Sequence, residues 1–263
     1  MPKFAANLSM MFNEAPFLDR FGLAAAAGFR AVEFLFPYEH PPAEIARRLG
    51  DHGLSNVLFN APPGDWAAGE RGIAALPGRR AEFRDGIKRA LEYCEALGCP
   101  RLHVMAGMMP PGVPRETLLA HYAINLNFAA EECMKAGVKP VIEPINRRDM
   151  PGFFLETTAQ AVQVIEAVGP ERLGLQFDLY HCQITEGDVV RRAEELLPFI
   201  AHMQVADTPG RHEPGTGEVN WDFVFARIDA MGYRGWIGCE YRPQGETLAG
   251  LGWFAKHRET QTP

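Results

Sequence analysis

The sequence predicts an α/β protein built as a closed parallel (β/α)8 TIM barrel. Three observations carry that prediction. Eight strand-like stretches alternate with eight helix-like ones along the 263 residues. No Gly-x-Gly-x-x-Gly follows the first strand and no Walker-type Gly/Lys loop is present, which weakens the alternative of an open doubly wound sheet. Four later strands end in oxygen-bearing side chains, as the functional rim of a barrel would. The length also admits two small domains, but unbroken alternation favours one, residues 1–263.

Taken in order, residues 4–8 alternate weakly as a first strand, and an alanine-rich helix covers about 15–27 until Gly28 stops it. The second strand is 31–34. Pro41 and Pro42 open a helix through His52, and 54–59 is the third strand. Residues 60–79 break the rhythm with Pro62, Pro63, Gly64, Gly69, Gly72, Pro77 and Gly78 around Trp66. A linker between domains is one reading. Because the alternation resumes unchanged, a long functional loop of one domain is the better one. A helix over 81–97 leads to the fourth strand, 101–105, then a Gly/Pro-rich loop and a long helix over 114–136.

The fifth strand lies in Val-Lys-Pro-Val-Ile-Glu-Pro-Ile-Asn, residues 138–146. Pro144 lacks an N–H and biases Glu143 towards an extended conformation, so a buried strand stops there with an acid at its end. Helix 157–168, strand 173–178, helix 188–197, strand 200–205, helix 221–231, strand 236–240 and a last helix over about 246–257 complete the pattern.

Composition narrows the function. An apolar fraction of 47% can fill a sizeable core, and a net charge of −7 argues against a broad nucleic-acid or anionic-membrane surface. No signal peptide is evident at the N-terminus, and no apolar run reaches transmembrane length. Cys94, Cys99, Cys133, Cys182 and Cys239 are odd in number and contain no Cys-x-x-Cys pair. They read as core thiols of a cytoplasmic protein.

Strands five to eight end in Glu143, Asp178, Gln204 and Glu240, each about one βα unit apart. Four oxygen donors would meet on one rim. Three carboxylates so close repel unless a cation lies between them, and an all-oxygen set suits Mg²⁺ or Mn²⁺ better than zinc. Strand parity then turns Gln176 and His202 inward beneath them. They read as core residues satisfied by partners, or as support for the oxygens above. His181, three residues past Asp178, should face the site and touch substrate. His103, inside strand four, reads equally as core or pocket. Arg211 and His212 lie on a Gly/Pro-hinged loop that suits an anion clamp or lid; a merely solvated loop is the alternative.

Val-Ile-Glu-Pro-Ile-Asn, Phe-Asp-Leu-Tyr-His-Cys-Gln, His-Met-Gln-Val-Ala-Asp and Arg-His-Glu-Pro-Gly-Thr-Gly-Glu-Val-Asn-Trp resemble the bacterial hydroxypyruvate isomerase family nearly from end to end. That family belongs to the xylose-isomerase-like barrels, with ketose epimerases and a DNA-repair endonuclease branch. The resemblance implies cation ligation by Glu143, Asp178, Gln204 and Glu240, with Glu143 and Glu240 moving protons. Epimerase relatives commonly carry His where Gln204 stands, so the chain follows the isomerase branch. The expected reaction interconverts hydroxypyruvate and tartronate semialdehyde through an enediolate. A sister group of 2-oxo-tetronate isomerases is the alternative substrate class. A metal phosphodiesterase would want several histidines at the strand ends, and a non-catalytic sugar-acid-binding barrel would not need two opposed glutamates. The expected partner is a small 2-oxo or hydroxy acid, without nucleic acid or membrane; oligomeric state is not legible.

Overall fold

The computed structural model describes residues 2–260. Strands β1 (Lys3–Asn7), β2 (Ala31–Phe34), β3 (Ser55–Asn60), β4 (Arg101–His103), β5 (Lys139–Ile142), β6 (Gly174–Asp178), β7 (Ile200–Gln204) and β8 (Trp236–Cys239) form a closed barrel in sequence order. Every neighbouring pair is parallel, and β8 pairs back onto β1. Around it lie α1 (Arg20–Ala26), α2 (Pro42–His52), α3 (Arg80–Leu97), α4 (Arg115–Lys135), α5 (Thr158–Val168), α6 (Leu179–Thr185), α7 (Val189–Leu196) and α8 (Trp221–Ala230).

Local chemistry sets these boundaries. Pro42 sits in the first turn of α2, where its missing N–H costs nothing. Thr157 and Gln160 cap α5 reciprocally, each side chain taking the other's backbone N–H. Helix α4 buries Leu118, Tyr122, Leu126, Ala129 and Cys133, spaced by three and four residues on one face. Strand β5 stops at Ile142 because Pro144 follows so soon, which leaves Glu143 just past the last paired residue. The main apolar core fills the layer between strands and helices. Inside the barrel, small Ala5, Ala31 and Val57 cluster separately, with Trp236 against them.

Three expectations need correction. The last helix, 246–257, is instead a run of turns over 247–254 followed by a 3-10 helix, Ala255–Thr260. Gly250 and Gly252 weaken it. Thr247 is held by Glu14 and by the N–H of Phe12, and Phe254 stacks on Phe29 at 4.2 Å, so packing fixes a non-helical path. Conversely, α6 went unforeseen: Asp178 itself caps it, Oδ1 accepting the Tyr180 N–H at 2.8 Å. Strand β4 ends at His103 rather than residue 105. The long loop over 60–79 packs onto the barrel, with Ile73, Ala74 and Ala75 buried and Ala74 O accepting from Asn125 Nδ2 at 2.8 Å. All five cysteines are buried and free. Among the described residues no helix is long and apolar enough to cross a membrane.

Candidate active site

The carboxyl ends of β5 to β8 bring Glu143, Asp178, Gln204 and Glu240 to one rim, all buried. Capping α6 uses one oxygen of Asp178; the other, Oδ2, has no hydrogen-bond partner among the described residues, and neither has Glu143 Oε1. His181 joins them from the first turn of α6, its Nε2 3.6 Å from Asp178 Oδ2 and 4.0 Å from Glu143 Oε1. Ligand atoms of Glu143, Asp178 and His181 lie within 4.8 Å of one another. His103 approaches Glu143 from the other side, Nε2 to Oε2 at 3.8 Å.

Two neighbours decide what these histidines can do. Asn146 Oδ1 accepts the Asp149 N–H at 2.8 Å, so its amide nitrogen is the end 2.6 Å from His181 Nδ1. His181 Nδ1 therefore accepts from Asn146, and Nε2 faces the acids with Arg211 Nη2 3.4 Å away. His103 is the reverse: Nδ1 meets Asn60 Oδ1 at 3.2 Å, which leaves Nε2 as an acceptor.

Arg211 is central rather than peripheral. Its Nη2 donates to Glu240 Oε1 at 2.8 Å and lies 3.9 Å from Asp178 Oδ2, while Nη1 reaches Asp149 Oδ2 at 3.3 Å. The guanidinium also lies over the Tyr180 ring at 5.1 Å. At 8% exposure it is buried against the acids, with its loop folded over the rim. His212 points elsewhere: its ring bonds the Arg242 carbonyl at 2.7 Å, away from the acids.

Beneath the rim lies a residue that the strand-end reasoning overlooked. Glu33, at the middle of β2, is fully buried and accepts from Asn7 Nδ2 at 2.9 Å and Gln204 Nε2 at 2.8 Å, with His202 Nε2 at 2.7 Å. It fits because β8 has Gly238 there; a Cβ would come within 2.2 Å of a Glu33 oxygen. Gln204 also donates from Nε2 to Glu240, and its Oε1 accepts from Gln176 Nε2 at 2.6 Å. The amide of Gln204 thus turns its nitrogen to the acids and its oxygen to Gln176. Gln176 and His202 each bond this network through one end, beneath the acids as parity implied, while Gln176 Oε1 and His202 Nδ1 have no hydrogen-bond partner among the described residues. An acid inside the short buried strand 31–34 was the available signal for Glu33.

Burial raises all three rim acids. It lifts Asp178 to about 6 and Glu240 to about 8 despite the opposing charge of Arg211. Glu143 is raised well above its ordinary value, by burial and then by Glu240 and Asp178. His103 falls to about 3 and His181 well below its ordinary value, both chiefly by burial, so both are neutral. Ionised together, the three acids would outnumber the one guanidinium, and a cation among them would let all three ionise. With Glu143 Oε1 and Asp178 Oδ2 unpartnered, the donor set fits a hard divalent cation.

The family model of the xylose isomerase-like TIM barrel matches residues 21–257. The chain is 57% identical to a 2-oxo-tetronate isomerase of Cupriavidus necator, over 97% of this chain and 98% of that one. It is 47% identical to the hydroxypyruvate isomerase of Escherichia coli, over 98% and 100%. A crystal structure from Brucella melitensis, described as an AP endonuclease of family 2, superposes with a TM-score of 0.96 at 49% identity, covering 98% of this chain and 100% of that one. A match of that extent, on a closed barrel with its acids at the strand ends, places the chain in the xylose isomerase-like TIM barrel family.

Proposed function

We propose that this isomerase exchanges the C2 carbonyl and C3 hydroxyl of a short 2-oxo-3-hydroxy acid. Hydroxypyruvate and 2-oxo-tetronate share that unit and differ by one hydroxymethyl group. The observation that supports the chemistry most is the pair Glu143 and Glu240, on β5 and β8, both buried and both raised in pKa. Buried carboxyls so placed can take up and release protons.

One glutamate removes the proton from C3, giving an enediolate, and the other delivers a proton to C2. The hydroxyl proton passes from O3 to O2, so atoms and charge balance. His181 Nε2–H can donate to the oxygen that gains charge, and His103 Nε2 can accept from the hydroxyl. Arg211 can hold the substrate carboxylate through Nε, which is buried and has no hydrogen-bond partner among the described residues. Glu143, Asp178, Glu240 and, after its amide turns, Gln204 would hold Mg²⁺ or Mn²⁺. That cation supplies charge that acidifies the C–H and stabilises the developing oxyanion.

The three-carbon acid is favoured by the sequence motifs. The four-carbon acid is favoured by the 57% identity to the Cupriavidus protein. Steady-state turnover of both acids by the Mn²⁺-loaded protein tests the reading, with abasic-site DNA as the control suggested by the Brucella relative. Turnover of either acid supports it; turnover of neither, or cleavage of the DNA instead, overturns it. A charge of −7 weighs against the DNA. Five free, buried cysteines support a cytoplasmic location.

A further inference from the structure

We propose that Asp207 is a positioning residue for this reaction, holding Arg211 in the conformation that aims its guanidinium at the acids; this rests on the role given to Arg211 above. Asp207 follows β7 by three residues and is 1% exposed. Its carboxylate accepts four backbone N–H groups. Oδ1 takes those of Thr208 at 2.9 Å and Val219 at 3.3 Å, and Oδ2 takes those of Gly215 at 2.8 Å and Gly217 at 3.0 Å. One side chain thereby gathers both ends of the loop.

Its backbone closes the same loop from within. Asp207 N–H donates to His212 O at 2.8 Å, and Arg211 N–H to Asp207 O at 2.9 Å. Between them Arg211 is driven to φ 57°, the left-handed region that non-glycine residues avoid unless their surroundings impose it. Gly217 allows the closure, because a Cβ there would come within 1.9 Å of Thr208 O. Glu218 N–H bonds Thr208 O at 2.9 Å, and Arg242 N–H bonds Arg211 O at 2.8 Å. Released from these bonds, Arg211 relaxes to negative φ and its side chain swings off Glu240. Asparagine cannot replace the acid, since its NH₂ would face two N–H donors.

The test uses the full-length, Mn²⁺-loaded protein with Asp207→Asn, Arg211→Ala and the double variant. The readouts are kcat/KM, Mn²⁺ affinity and, on the protein loaded with diamagnetic Mg²⁺ instead, the Arg211 Nε–H signal in ¹⁵N NMR, assigned by its loss in Arg211→Ala. Asp207→Asn should lose about 10–100-fold in kcat/KM, as a misplaced group does. It should bind Mn²⁺ normally and shift or broaden the Arg211 signal. The double variant should be no worse than Arg211→Ala within about threefold, because both changes remove one function. Losses that multiply, or an unmoved signal, overturn the proposal. Should Asp207→Asn fail to fold, Gly217→Ala perturbs the same closure and is judged by the same two criteria. If Arg211→Ala keeps full activity, the substrate role of Arg211 fails; the signal in Asp207→Asn still decides the positioning.

Discussion

Glu33→Gln is the sharpest probe of the buried network. The substitution keeps the shape and removes the charge. In the native protein the carboxylate faces three donors at 2.7–2.9 Å with no solvent to replace them. An amide offers one oxygen, so its NH₂ confronts a donor from His202 or Gln204. Removing one partner of such a buried pair costs about 3–5 kcal/mol. At about 2–4 °C per kcal/mol for a chain of this size, Tm should fall by about 6–20 °C. Gln204 can relieve part of that loss by turning its amide over, but it then withdraws its N–H from Glu240. Activity should therefore fall even at temperatures where the fold is intact. Calorimetry with and without Mn²⁺, followed by kinetics at 15 °C below the variant's Tm, reads both effects. A Tm within 1 °C of native would refute the reasoning, because the carboxylate would then not be satisfying those donors.

Chelation should abolish turnover and Mg²⁺ or Mn²⁺ should restore it; full activity of rigorously stripped protein would rule the cation out. Glu240→Gln should fold normally and lose about 10²–10⁴ in kcat, the usual contribution of a placed acid–base group; near-native kcat would remove Glu240 from the proton path. In chelator, stability should decline as pH rises from about 5 to 8. Asp178 is raised from 3.8 to about 6 and Glu240 from 4.5 to about 8, so across that window the folded protein binds protons that the unfolded chain has released. Urea titrations showing stability rising with pH would contradict those shifts, and added Mn²⁺ should flatten the slope.

The rim acids were legible because each closes a β-branched or apolar run at a fixed spacing. Pro144 in particular marks where β5 must stop. The boundaries of β2 and α2 were legible for similar local reasons, Pro42 above all. What escaped depends on partners distant in sequence. Glu33 matters through Gln204 and His202, 171 and 169 residues away, and nothing in Ala-Val-Glu-Phe announces them. The glycines of the Arg211 loop suggested mobility, yet Gly215 and Gly217 serve to bring backbone N–H groups onto Asp207. The final segment had helical composition, but its tie to Glu14 and Phe12 lies across the barrel closure.

The most direct test of the proposed chemistry is isomerisation in D₂O, followed by ¹H and ¹³C NMR with hydroxypyruvate and with 2-oxo-tetronate. Proton transfer by Glu143 and Glu240 predicts the isomeric acid with deuterium at the carbon that receives the proton, and gradual exchange at the carbon that loses it. No isomer from either acid, or a product retaining all of the substrate's own hydrogen at the receiving carbon, would contradict it.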